Sequence, residues 1–168
     1  MSSEPELRPG PPWVMEEMIW AQADLPARIA ASDDAERLAA RLGAATGDGG
    51  PVLFTGCGTS EHGARAARAI VGEARPDATL AARDAFEARL APPSRGLVVA
   101  ISHEAGTAAT VAAARGASDA GAQAVLVTAH PELVRMGSRR SARRCTTARG
   151  ATPSPTSHRC CCTPSPPG

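Results

Sequence analysis

The hydrophobic and polar positions divide this chain into a helical front, a strand–helix alternation and a polar end. In "WVMEEMIWAQADLPARIAAS", Trp13, Met15, Met18, Ile19 and Leu25 recur at roughly helical spacing, with Glu16 and Glu17 on the other side. Pro26 is expected to kink or divide that helix, because proline removes an amide donor and crowds the preceding turn. "DDAERLAARLGAAT" predicts a second helix, with Asp33 or Asp34 as its cap and Gly43 near its end. "GDGG" breaks the pattern. "PVLFT" then reads as a short buried strand, and "SEHGARAARAIVGEA" as a helix with Ala64, Ala67, Ile70 and Val71 on one face. A weaker strand is expected around Ala78–Ala82 and a strong one at Leu97–Ile101. A helix follows, ending near Gly121, and then a strand at Val125–Thr128. Short apolar strands alternating with helices predict an α/β fold, a parallel sheet with helices on both faces.

The alternation stops after Met136. The rest, "GSRRSARRCTTARGATPSPTSHRCCCTPSPPG", has no hydrophobic periodicity and a composition that does not build a core. The expected organisation is a disordered leader over 1–12, a domain over 13–134 and a disordered Arg/Pro/Cys-rich tail over 135–168, with the last strand and helix of the sheet missing. One choice of codons for Arg149–Thr156 encodes, in a shifted frame, a segment more like protein interior. A frameshift near residues 135–140, which would leave an inactive fragment as one functional reading, therefore stands beside a natural basic tail, and the gene sequence separates them.

Charge sharpens this division. All 18 basic residues are Arg, and up to Val134 there are 11 of them against all 17 acids, whereas from Arg135 onward there are 7 Arg and no acid. An acidic domain is a poor nucleic-acid surface, so no nucleic-acid partner is expected. No signal peptide is visible and no apolar run approaches the ~18 residues of a membrane span, so a cytoplasmic protein without membrane attachment is expected. Four of the five cysteines, Cys145 and Cys160–Cys162, lie in the tail without a spaced C-x-x-C pair. No metal site is expected from them.

The candidate chemistry sits in two turns. Gly56-Cys57-Gly58-Thr59-Ser60 follows the first strand, and Ser102-His103-Glu104-Ala105-Gly106-Thr107 follows the third. In open α/β sheets ligands bind beyond the carboxyl ends of the strands. There, glycines permit close backbone approach, and free amides at a helix start favour an anion. Gly58, Thr59, Ser60, Ser102, His103 and Thr107 are the candidate binding residues for a phosphate. The plainer alternative is that these hydroxyls only cap helices. His103 and Glu104 are the acid–base candidates, since a positioned imidazole or carboxylate can move a proton between adjacent carbons; a solvated loop pair is the alternative. Glu61 and His62 have a weaker claim. Cys57 is expected to be a small buried packing residue.

A Met/Glu-containing helix, then "GCGTS", then "VVAIS" followed by Gly106-Thr107 and an Ala-rich helix, resembles the sugar isomerase (SIS) domain over about residues 13–134. The resemblance implies a three-layer flavodoxin-like sheet, a sugar phosphate ligand, no cofactor, and a homodimer or paired domains. It implies either a sugar-phosphate or amino-sugar-phosphate isomerase or a non-catalytic phosphosugar-sensing module. By the same likeness Thr59 and Ser60 match the hydroxyls of the first turn, and Ser102 and Thr107 those of the second. The family's second turn reads S-Q-S-G-E-T. Here His103 stands for the Gln, Glu104 for the second Ser, Ala105 for the Gly and Gly106 for the Glu, so the ligand is expected to differ from fructose 6-phosphate.

Overall fold

The computed structural model describes residues 9–11, 14–131 and 145–149. The helical front is divided at the proline. α1 spans Val14–Ala21 and α2 spans Leu25–Ala30, with Pro26 in the first turn of α2, where its missing amide costs nothing. α3 spans Asp33–Gly47 and is capped by Ser32, not by Asp33 or Asp34. The Ser32 Oγ accepts from the Ala35 amide at 3.2 Å and donates to the Ile29 carbonyl at 2.7 Å, so one hydroxyl closes α2 and opens α3. The aspartates lie one and two positions too late to cap, and they serve the positive end of the helix dipole instead. Gly43 lies within α3. Ser32→Ala is expected to lower stability by about 1 kcal/mol, read by calorimetry, because it removes the side-chain cap and leaves the Ala35 amide only its bond to the Ser32 carbonyl at 3.0 Å.

The remaining elements alternate. They are β1 (Val52–Gly56), α4 (Thr59–Ala74), β2 (Leu80–Asp84), α5 (Ala85–Leu90), β3 (Leu97–Ile101), α6 (Ala108–Ala120), β4 (Gln123–Thr128) and β5 (Cys145–Arg149). All strand pairs are parallel and the order is β2-β1-β3-β4-β5, the flavodoxin-like arrangement. Every residue of β1 is buried, as expected of a strand covered on both faces. Val52, Phe54, Leu97, Val99 and Val125 face α3 and α4, where Leu38, Leu42, Ala64, Ala67 and Val71 meet them. Leu53 and Val98 face Ala88 of α5 and Ala113 and Ala117 of α6. The alanines of α6 allow that helix to lie close to the sheet, so a core with few aromatic residues still closes.

Two elements depart from the sequence-based expectation. α5 was hidden because six residues hold too few turns to show a period. Asp84, the last residue of β2, makes this helix by accepting from the Phe86 amide at 2.7 Å. The second departure is a further strand within the segment expected to be a tail. Cys145–Arg149 lies beside β4 as a fifth parallel strand, in register from Ala124↔Cys145 to Thr128↔Arg149. The exposed edge of β4 offers a row of backbone donors and acceptors that any extended segment can satisfy, and Thr146-Thr147 suits a strand. Cys160–Cys162 and the rest of the expected tail lie outside the described residues, as does most of the expected leader.

Candidate functional site

The register of the central strands brings the two turns together. Gly56 of β1 pairs with Ile101 of β3, so the turns leave neighbouring strands at the same level, roughly 5 Å apart. This is also where the strand order reverses. β1 continues through α4 on one face to β2, and β3 continues through α6 on the other face to β4, which opens a crevice between the two turns.

The first turn is set by glycine. Gly58 has φ 57° and ψ −124°, a conformation open in practice only to glycine, and it begins α4 without any side-chain cap. The Ser60 amide bonds to the Cys57 carbonyl at 3.1 Å and the Glu61 amide to the Gly58 carbonyl at 2.9 Å, so the chain turns directly into the helix. Thr59 is exposed, and Ser60 is half-buried. Glu61, in the first turn of α4, bonds to Arg65 at 2.6 Å, one helical turn on, and its hydrogen bond and charge hold the Arg65 guanidinium above its usual pKa. Glu61 is therefore engaged along the helix surface. His62 is exposed. Cys57 is half-buried rather than buried, because it sits in the turn itself and not on a packed face.

The second turn is tied down from three sides. The Ser102 amide stays in the ladder, bonding to the Val127 carbonyl at 3.0 Å, while the Ala105 amide returns to the Ser102 carbonyl at 3.2 Å. The His103 carbonyl accepts from the Thr128 hydroxyl at 2.8 Å and from the Ala129 amide at 3.0 Å. Ala105 takes φ 54° and is buried with Ala100, Ala114 and Leu126. For a residue with a Cβ this left-handed conformation costs roughly 1–2 kcal/mol, and burial of the methyl group offsets part of that. The strain falls where the resembling family has glycine.

Within this frame Ser102 is buried, and its Oγ lies 3.4 Å from the Thr107 Oγ1. Thr107 occupies the cap position of α6 but its side chain makes no cap bond. Neither helix start consumes its hydroxyls as caps, so the plainer role does not account for them. His103 is turned toward the β4 side, where its ring meets His130 edge to face at 5.4 Å. Glu104 is exposed and forms no hydrogen bond or ion pair among the described residues. Ser102 and Thr107 therefore meet at the end of β3, level with the first turn, while the His103 ring contacts His130 beyond β4. Two further hydroxyls sit close to this rim without any motif to mark them. Thr55, opposite Ala100, and Thr110, in the first turn of α6, have buried Oγ1 atoms without a protein partner among the described residues.

Taken together, the sheet order and the paired turns define a flavodoxin-like α/β domain with two hydroxyl-bearing turns on one rim. Solved structures share this architecture. A candidate sugar-binding protein from Salmonella typhimurium LT2 superimposes with a TM-score of 0.56 at 22% identity, covering 77% of this chain and 41% of its own. Tagatose-6-phosphate ketose/aldose isomerase from Escherichia coli gives 0.55 at 13% identity, covering 76% and 38%. A candidate phosphosugar isomerase involved in capsule formation from Bacteroides fragilis NCTC 9343 gives 0.54 at 16% identity, covering 80% and 73%. The chain thus spans about two fifths of the length of the first two and nearly three quarters of the third. No family model matches the sequence, and no curated protein matches it. Among the described residues no helix is long and apolar enough to cross a membrane.

Proposed function

We propose that the crevice between the β1 and β3 turns binds the phosphate of a sugar phosphate, and that the chain is an SIS-type phosphosugar-binding domain. The observation that carries this reading is the Gly56↔Ile101 register, which sets Thr59, Ser60, Ser102 and Thr107 at one switch point with hydroxyls not spent on capping. Two helix starts supply amides and partial positive charge for the anion, and the hydroxyls supply directed donors. The fold likeness to solved phosphosugar isomerases supports the same reading.

A thermal-shift screen of sugar phosphates tests it. A ligand at one hundred times its Kd adds about 2.7 kcal/mol, roughly 5–10 °C for a domain of this size. Ser60→Ala and Ser102→Ala are each expected to remove most of that shift while leaving the ligand-free melting temperature within a few degrees. A screen without any shift would reject the proposal and favour an inactive fragment.

Within the proposal, one observation favours a sensing module over an isomerase: the His103 ring is engaged by His130. Turnover of an aldose or ketose phosphate, lost in Glu104→Gln with binding retained, would restore the enzyme reading and place the proton transfer on Glu104.

A further inference from the structure

Two imidazoles meet where β3 and β4 end. The ring of His103, in the turn after β3, and the ring of His130, two residues beyond β4, have centres 5.4 Å apart and planes at 74°. His103 is exposed and His130 half-buried, so the pair is open to solvent. Their backbones are held by one buried side chain, Thr128, the last residue of β4. Its hydroxyl donates to the His103 carbonyl at 2.8 Å and accepts from the His130 amide at 3.1 Å. The Ala129 amide adds a second bond to the His103 carbonyl at 3.0 Å. The two histidines are thus tied to each other across the ends of neighbouring strands, whose register runs to Ile101↔Val127.

The separation of the rings is that of two ligands on one ion. An imidazole nitrogen binds Zn²⁺ at about 2.0–2.1 Å, which puts the ring centre about 3.2 Å from the metal and two such rings on one tetrahedral ion about 5 Å apart. The torsion that turns an imidazole about its Cβ–Cγ bond is soft, so a nitrogen of each ring can swing into the gap while Thr128 keeps the backbones in place. Imidazole suits Zn²⁺, Ni²⁺ and Cu²⁺, whereas Mg²⁺ and Ca²⁺ take oxygen ligands. Among the described residues no third His, Cys, Asp or Glu completes a cluster, so the other coordination positions fall to water or an exchangeable ligand.

We infer that His103 and His130 form an open two-histidine site for a divalent transition-metal ion, and that Thr128 is the residue that positions both ligands. The ion site does not require the phosphosugar reading. Titration with metal alone tests the first, and ligand-induced thermal shift tests the second separately.

The experiment is calorimetric titration of the full chain with Zn²⁺, its cysteines first alkylated so that thiols do not compete. The wild type is expected to bind one ion at or below ~1 mM Zn²⁺. His103→Ala and His130→Ala are each expected to weaken that binding at least ~10-fold. Thr128→Val is expected to weaken it about 10-fold and Thr128→Ser to keep it within about twofold, because only the hydroxyl orients the pair. His62→Ala removes an exposed imidazole elsewhere and is expected to change it by less than about twofold. In the wild type, the ring resonances of His103 and His130 are expected to shift together as Zn²⁺ is added, a readout that needs no variant to fold. A wild type that takes no ion would overturn the inference. So would equal binding by the His103→Ala, His130→Ala double variant, or ring resonances that stay in place while Zn²⁺ binds. A Thr128→Val protein that binds as the wild type does would overturn the positioning role.

Discussion

Gly96→Ala is expected to cost more than about 4 kcal/mol or to prevent folding, as measured by urea denaturation. A Cβ at Gly96 would lie 2.0 Å from the Pro51 carbonyl oxygen and 2.9 Å from two atoms of the Pro51 ring, on a backbone already at φ +80°. Relief by a small shift is blocked on both sides. The Pro51 carbonyl accepts from the Leu97 amide at 3.0 Å, and the Gly96 carbonyl accepts from the Gln123 amide at 2.9 Å. Moving either residue breaks the point where β1, β3 and β4 begin together. Gly63→Ala is the matched control. It lies inside α4 with nothing within 4 Å of the new Cβ, and it is expected to stabilise by about 1 kcal/mol. Equal effects of the two substitutions would contradict the described backbone at Gly96.

Gly56→Ala is expected to abolish ligand-induced stabilisation, with sugar phosphate bound at least ~10-fold more weakly, and to cost about 2–3 kcal/mol of stability. Its Cβ would stand 2.7 Å from both the carbonyl carbon and oxygen of Ser60 and 2.9 Å from the Ser60 Cβ. The first turn of α4 would have to move off the end of β1, carrying Thr59 and Ser60 away from Ser102 and Thr107. Circular dichroism separates loss of the site from loss of the fold. If phosphate-dependent thermal stabilisation survived in a folded Gly56→Ala protein, the close approach of α4 to β1 would not be what builds the crevice.

Much of the fold was legible because its signals are local. Leu97–Ile101 announces itself as a buried parallel strand because an uninterrupted apolar run is what two covered faces demand. The turns after β1 and β3 were legible as turns because glycine and hydroxyl residues between an apolar run and a helical pattern mark a strand-to-helix junction, whether they cap the helix or bind a ligand. α5 was not legible, since its six residues depend on a cap from Asp84 rather than on a period. β5 was not legible either, because a strand of Cys, Thr, Ala and Arg is selected by the vacant edge beside it. The cap of α3 belonged to Ser32 for a geometric reason: its backbone is extended, with φ −87° and ψ 144°, while Asp33 is already helical.

The sequence by itself determined the alternation of strands and helices, the two hydroxyl-bearing turns and the break in hydrophobic pattern after Met136. These follow from side-chain periodicity and from backbone freedom at single residues, both of which are local. Only the tertiary structure decided that Gly56 stands beside Ile101, that the His103 ring meets His130, and that α1 and α5 carry exposed apolar residues. Those outcomes depend on which strands pair and which helix covers which face, and that choice is made by burial summed over the whole core.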